Sequence, residues 1–540
     1  MKNLLKGLSE RRFLLIVLSI ALLTRAINMG FPAFTANEAR IAARGYTIAT
    51  LGKDELGRSF PLLLNSSSDY QLPAVSYITA LGSLIGGKTE RGVRFPFIAL
   101  GVSIVFFVFQ ISKLFSNKPR DWFLASLTVA LSPALIYQSR IPNESIVLTF
   151  GFLSLLYLLT RRVINFVLVI LMMAIVSLTA KEAWIILPIF VLAITHFFLK
   201  AATPKAKLIP LVSSIVIPLI FIVVFLSFPQ ANRSLMENNL NILTNMTIQN
   251  GVNKLRGQGL ESGWPNVVER ILFNKFALLT TGGIHFLSHF SPNIYFGQSD
   301  NSGIFNFSKL GLFLKAFFVP MLFGIIFIIR SKQTRERSLL IYPLIFMLPA
   351  VLIYPALSQK ILSITIPFLA IVCMFGLSKF SNKITTLIFV LAIVELMANM
   401  LFIVPETKAT NVSRPTWIKE IDFNIISEPG KQIVVSDDIS GNDIVPFLIW
   451  YAPVNVKDGF VETKWPYMFR QTNFGHIKIT GESNDIVECK QENQTIFLVS
   501  NRDLERIQKI KDTQPQITYT DSVGDKVAYL IRDLKGICIR

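Results

Sequence analysis

"FLLIVLSIALLTRAINMGFPAFTANEARIAARGYTIATLGKDELG" occupies Phe13 to Gly57. It opens as an apolar run near 13–30, close to the roughly 20 residues a helix needs to cross the hydrocarbon core of a bilayer. The run lacks an A-x-A cleavage site, so it reads as a retained helix rather than a signal peptide. It then turns polar at once. Thr35-Ala36-Asn37-Glu38 is an S/T-x-x-E sequence, the mark of a helix N-terminus whose free N–H groups are satisfied by the two side chains. Glu38 is therefore either a helix cap or a carboxylate held at a membrane surface to do chemistry, and the rest of the chain bears on which.

Apolar residues make up 52% of the 540 and charged residues only 16%, against about 25% charged in a soluble chain. Mean hydropathy is +0.52. The apolar residues come in blocks of membrane-spanning length, so the chain reads as an integral membrane protein. The net charge of +19 fits basic residues flanking membrane helices against anionic lipid better than it fits nucleic-acid binding, and no nucleic-acid partner is expected. The three cysteines, Cys373, Cys489 and Cys538, have no metal spacing. Cys489 and Cys538 share the C-terminal segment and could pair in an oxidising compartment.

Spans are expected near 13–30, 95–115, 121–138, 145–160, 163–180, 184–199, 208–228, 309–330, 338–357, 361–377 and 384–404. Alternate short loops carry the lysines and arginines, among them Arg11, Arg12, Lys113, Arg120, Arg161, Lys205 and Arg335. The positive-inside rule makes that side cytoplasmic. The N-terminus is then inside, and 31–94, 229–308 and everything after 404 are outside. The segment 269–290 is apolar but broken by Arg270, Lys275, His285, His289 and a Gly-Gly pair, and is expected to lie in the outer interface. From 405 to 540 the composition shifts. "KQIVVSD" (431–437), "FLIWYAPV" (447–454), "GHIKITG" (475–481) and "TIFLVSN" (495–501) read as strands, and 415–422 and 502–511 as helices. The fold class is thus mainly α: a polytopic helical membrane domain over 1–404, with about eleven spans, and a soluble extracytoplasmic α/β domain over 405–540.

With this topology Glu38, Asp69, Arg140, Asn143, Glu144, Lys181 and Glu182 gather at outer helix ends or loops. Ionisable groups at membrane depth cost several kcal/mol unless paired or wet, so their gathering suggests a polar cavity at the outer surface. The plainer reading makes each one a cap or a snorkelling side chain. Asp69-Tyr70 precedes Leu72-Pro73, as an N-cap precedes a first-turn proline. Arg140 and Glu144 flank a Pro-Asn turn. Lys181 and Glu182 lie in a tight turn with Trp184 as an interfacial anchor. In the functional reading Arg140 and Lys181 hold a phosphate, Arg by a bidentate grip and Lys as a point charge. His285 and His289 are one helical turn apart but have no third ligand, so no metal site is expected.

Five stretches together resemble the protein O-mannosyltransferase-like family (glycosyltransferase family 39) of GT-C membrane glycosyltransferases, in its bacterial branch with a soluble C-terminal extension. "TANEARIAARGYTIATLGKDELGRSFPL" resembles the first outer loop, where the family usually has Asp-Glu. "SDYQLPAVSYITALGSLIGGKTERGVRFP" resembles its "DYK-x-P" and "R-x-P" segment, with Arg94 as the arginine. "LSPALIYQSRIPNESIVL" resembles the second outer loop, "FLSHFSPNIYFGQSD" the "SHFSP" segment, and "YPALSQKILSITIPFLAIVCMFG" the late Pro-containing span.

The resemblance implies a GT-C fold and a membrane enzyme that takes a sugar from a polyprenyl-phosphate donor to an acceptor hydroxyl of a protein, lipid or glycan, with inversion, outside the cytoplasm. A carboxylate would take the acceptor proton and cations would stabilise the leaving phosphate. Carried onto this sequence, Glu38, Asp69 and Asn37 are the catalytic candidates. Arg140, Lys181 and Arg94 are the donor-phosphate candidates, and Tyr70, Glu144, Asn143 and Glu182 the substrate-binding ones. No cofactor is implied, and a divalent metal is not demanded. Asn37 stands where the family has aspartate, and Gln71 where it tends to have lysine. Those two departures leave open the alternative of an inactive relative serving as a lipid-binding or scaffold protein.

Overall fold

The computed structural model describes residues 2–400 apart from 28, 31, 33, 55–57, 66–69, 162–163, 200–202, 229–245, 298–309, 352–358 and parts of 264–274. Beyond residue 400 it describes 432–436, 447, 450–451, 471–474, 477–480, 486–488, 495–520, 526–534 and 537–539. Asp69, Cys489 and the expected helix at 415–422 lie outside the described residues.

The chain divides into two compact units. One comprises Met1–Met29, Leu63–Val75 and Phe97–Val404, and the other Gly30–Leu62, Ser76–Pro96 and Pro405–Arg540. The first is helical. In chain order, α1 (Lys2–Ala26) is followed by α2 (Ala36–Leu51) and α3 (Ala74–Gly86), which lie wholly and mostly in the other unit, by α4 (Glu90–Ser112), whose head up to Pro96 also belongs there, and then by α5 (Pro119–Ala130), α6 (Pro133–Gln138), α7 (Glu144–Leu159), α8 (Phe166–Ser177), α9 (Ala183–Phe198) and α10 (Pro204–Leu226). Then come α11 (Met246–Glu261), α12 (Lys275–Ser288), α13 (Pro292–Phe296), α14 (Phe318–Arg330), α15 (Thr334–Met347), α16 (Gln359–Leu377) and α17 (Asn382–Ala398). Among the described residues, α4 and α10 are long and apolar enough to cross a membrane. On α10, Leu208, Val212, Ile215, Leu219, Ile220 and Val223 are exposed. An apolar face left uncovered on a helix whose backbone bonds are internally satisfied is a lipid-facing surface.

Two expected spans are interrupted. The run 121–138 is two helices, because Pro133 has no N–H to continue α5 and its ring would meet the preceding turn. Ser132 caps α6, its Oγ accepting from the Leu135 N–H at 3.4 Å and donating to the Leu312 carbonyl at 2.9 Å. The run 309–330 starts its α-helix only at Phe318, after a 3-10 turn at Lys315–Phe317. Ahead of that turn Leu312 and Phe313 donate to the carbonyls of Ile294 and Tyr295.

The helical core is built on rings. Phe152, Phe190, Tyr342, Phe346 and Phe368 bring α7, α9, α15 and α16 together at centroid distances of 5.0 to 6.3 Å. The offset and edge geometries suit the quadrupoles of the rings. Between α14 and α16 the contact is backbone to backbone. A methyl added at Gly324 would strike the Val372 carbonyl, and one at Gly376 the Pro320 carbonyl.

Two short antiparallel pairs, β1 (Leu64–Asn65) with β2 (Tyr70–Gln71) in the first unit and β6 (Ile486–Glu488) with β10 (Ile537–Ile539) in the tail, accompany the main sheet of the other unit, which has six strands in the order β4-β5-β3-β7-β9-β8. The central strands β5 (Ile477–Thr480), β3 (Gln432–Ser436) and β7 (Thr495–Val499) are parallel. The flanking β4 (Gln471–Phe474), β9 (Lys526–Leu534) and β8 (Ile517–Thr520) are antiparallel to their neighbours. Every residue of β7 is buried, as a strand covered on both faces requires. Helix α18 (Asn501–Ile510) sets Leu504 and Ile507 into the cluster around Phe497 and Ile531. The expected strand at 447–454 is corrected: Phe447, Trp450 and Tyr451 are helical. A short apolar run cannot be assigned by period alone, and here Phe447 and Trp450 are both buried.

Candidate functional site

Thr35 caps α2 as its sequence implies, its Oγ1 accepting from the Glu38 N–H at 3.2 Å. Helix α2 ends at Gly52, whose φ of 66° is a left-handed conformation that glycine adopts at little cost. The carboxylate of Glu38 is directed at Arg94 in α4. Arg94 Nε donates to Oε1 at 2.6 Å and Nη2 to Oε2 at 2.8 Å. The two side chains are 3% and 1% exposed. This is a bidentate, buried, charge-assisted pair, and it joins two of the candidate residues 56 positions apart. Asn37, beside Glu38, is exposed.

Around this pair, within the same unit, lie groups that the sequence reading did not single out. The guanidinium carbon of Arg94 is 5.9 Å from the centre of the Phe34 ring. The Lys88 ammonium lies 5.6 Å from the Tyr46 ring and 6.0 Å from that of Trp450, and burial lowers its pKa. The Tyr451 hydroxyl donates to Glu90 at 2.6 Å. Burial, then that bond and the negative charges of Glu90 and Glu38, raise the Tyr451 pKa, with Arg94 opposing. The E-x-x-x-R spacing of Glu90 and Arg94 was visible in the sequence as one helical turn. The partners from the tail were not, being more than 350 residues away.

In the helical unit Arg140 is 1% exposed. Its Nη2 donates to the carbonyl of Thr24 at 2.7 Å, near the end of α1. Arg25, fully buried, answers it: Nη1 donates to the Ala130 carbonyl at 3.3 Å, at the end of α5, and to Ala21 at 3.2 Å. Each arginine thus satisfies a carbonyl left over at a helix C-terminus, where the helix dipole favours a cation. An arginine inside an apolar run is a signal the sequence offered, and Arg25 is the residue that it marks. Gly101 makes room for the arrangement, since a methyl there would lie 2.9 Å from Arg25 Nε and 2.6 Å from Ser139 Cβ.

The other candidates have different surroundings. Lys181, half-buried, places its ammonium 4.8 Å from the centre of the Phe225 ring. Trp184 packs on the same ring at 5.7 Å and donates to the Ser177 carbonyl at 2.8 Å. Glu182 occupies the N-cap position of α9, and Glu144 the first turn of α7. Asn143 caps α7: its Oδ1 accepts from the Ile146 N–H at 3.2 Å, and its Nδ2 donates to the carbonyls of Gln138 and Ile141 at 2.5 and 3.1 Å. Asn143→Ala is expected to cost about 1–2 kcal/mol as a lost cap, read as a lower unfolding temperature in detergent. Tyr70 lies in a two-residue strand paired with Asn65.

No protein-family model and no curated protein matches the sequence. The fold is similar to that of ArnT from Cupriavidus metallidurans, solved bound to undecaprenyl phosphate, with a TM-score of 0.54 at 10% identity over 97% of each chain. The archaeal oligosaccharyltransferase AglB from Archaeoglobus fulgidus, solved with an inhibitory peptide and a dolichol-phosphate, gives 0.47 at 12% identity. That match covers 83% of this chain and 64% of AglB, so the chain spans less than two thirds of the archaeal protein. The helical unit with its exposed apolar faces, the α/β tail and the end-to-end likeness to ArnT agree: the chain has a GT-C-like fold, shared with ArnT.

Proposed function

We propose that the chain is a glycosyltransferase that moves a sugar from a polyprenyl-phosphate donor to an acceptor hydroxyl, with inversion, at the outer face of the membrane. The observation that carries this reading is the buried Glu38–Arg94 pair at the head of α2, in a chain whose fold is similar to that of a protein solved with undecaprenyl phosphate. A carboxylate clamped by a guanidinium on both oxygens is a weak base, because the bonds favour its ionised form. In this reading Glu38 therefore orients Arg94, and Asp69 takes the acceptor proton. Arg94 provides positive charge for the departing phosphate; Arg140 and Lys181, which belong to the other unit, are separate candidates for that role. Tyr70, Asn143, Glu144 and Glu182 are the substrate contacts in this reading. The N-terminus is cytoplasmic and the tail extracytoplasmic.

The test is turnover by the purified protein with a polyprenyl-phosphate sugar, for wild type beside Asp69→Asn and Glu38→Gln. Asp69→Asn is expected to lose about 100-fold in kcat, the scale of a general base, with an unchanged unfolding temperature. Glu38→Gln is expected to lower both turnover and unfolding temperature. Wild-type turnover in both variants would refute the assignment. No turnover by wild type with any donor would favour the lipid-binding or scaffold reading, to which Asn37 and Gln71 lend support.

A further inference from the structure

Arg94 sits in a weak stretch of helix. The sequence Glu90-Arg91-Gly92-Val93-Arg94-Phe95-Pro96 combines a glycine, which helices disfavour, with a proline that cannot donate to the Gly92 carbonyl one turn back. The first turn of a helix also lacks internal partners for its N–H groups; here Thr89 supplies two, its Oγ1 and carbonyl accepting from the Gly92 and Val93 N–H groups at 3.0 and 3.2 Å. With Thr89 bonded to Gly92 and Val93, the Glu90 side chain is the handle by which groups outside the helix hold this turn, and with it the direction of Arg94.

Two routes reach it from the tail. The first is polar: Tyr451 donates to Glu90 Oε1 at 2.6 Å, and Glu90 lies one turn before Arg94 on the same helix. The second is apolar. Trp450 and Tyr451 place their rings 5.7 and 6.1 Å from that of Phe34, and Phe34 in turn lies 5.9 Å from the Arg94 guanidinium. Trp450 is 3% exposed and also meets Tyr46 edge-on at 6.5 Å. Both routes start on one short helical stretch of the tail and end at one side chain.

We propose that Tyr451 is a positioning residue of the Glu38–Arg94 site. By holding Glu90 it fixes the first turn of α4 and sets the Arg94 guanidinium against Glu38, so that the tail is a working part of the site. This rests on the glycosyltransferase reading only for its activity readout.

The test uses the full-length protein as wild type, Tyr451→Phe, Glu90→Gln and the double variant. Tyr451→Phe keeps the ring and removes only the hydroxyl. Each single variant is expected to lower kcat about tenfold with the KM for a polyprenyl-phosphate sugar unchanged. The double variant is expected to be no worse than either single, as two groups acting through one bond require. Independently of activity, amide hydrogen exchange over 90–94 is expected to quicken in Tyr451→Phe, while β7 and β9 keep wild-type protection. Unchanged exchange over 90–94, or losses that multiply in the double variant, would overturn the proposal. If wild type turns over no donor, the glycosyltransferase reading fails while the exchange measurement still decides the role of Tyr451.

Discussion

Arg94→Met will lower the proposed sugar transfer by about 1,000-fold, the scale of losing a preorganised cation or oxyanion donor, and will destabilise the unit that contains it. The second effect follows from burial. Glu38 is 3% exposed and both its oxygens accept from Arg94, so methionine leaves a carboxylate without the cation that it was folded around. Breaking a buried pair from one side costs roughly 3–5 kcal/mol, whereas replacing both partners by apolar groups is often close to neutral. Glu38→Leu combined with Arg94→Met should therefore recover most of the lost unfolding temperature and none of the transfer. A double variant as unstable as the single would mean that the pair does more than neutralise itself. A double variant with restored transfer would remove the pair from the chemistry.

Gly376→Leu will prevent assembly of the helical unit, with a cost of at least about 3 kcal/mol from overpacking. A Cβ at Gly376 would meet the Pro320 carbonyl and lie 3.0 Å from the Gly324 nitrogen. The obstacle is backbone, so no rotamer change can relieve it. Small residues that let helix backbones touch are the usual glue where lipid removes the hydrophobic drive between helices. Gly376→Ala should show a smaller loss of the same kind, and Gly283→Ala, which has open space around it, almost none. Folded yield by size-exclusion chromatography in detergent, with unfolding temperature, is the measurement. Wild-type behaviour of Gly376→Leu would mean that α14 and α16 pack differently.

The largely helical character of the first 400 residues was legible because long apolar runs are a one-dimensional signal, and two of them, at α4 and α10, are helices long enough to cross a membrane. The α2 cap was legible because capping is local, needing only Thr35 and the N–H three residues on. What escaped the sequence was long-range or backbone-mediated. Pro133 marked the break between α5 and α6, yet the run around it stays apolar, so hydropathy alone carried the expectation through it. Tyr451 lay in a short apolar run that reads as a strand. Its helical form follows from Phe447 and Trp450 turning inward, which no local pattern reveals. Glu38 and Arg94 were both picked out as candidates, but for separate roles. That they are partners is a tertiary fact, fixed where α2 meets the head of α4.

Arg25 and Arg140 act as a ruler. Arg25, near the end of α1, reaches the Ala130 carbonyl at the end of α5, and Arg140, in the turn after α6, reaches the Thr24 carbonyl near the end of α1. Adding or deleting one residue before either helix end would rotate those carbonyls by about 100° and strand a cation in the interior. Insertions should therefore be tolerated in the polar loops and rejected in α1 and α5. In this corner of the protein, helix length itself is under chemical control.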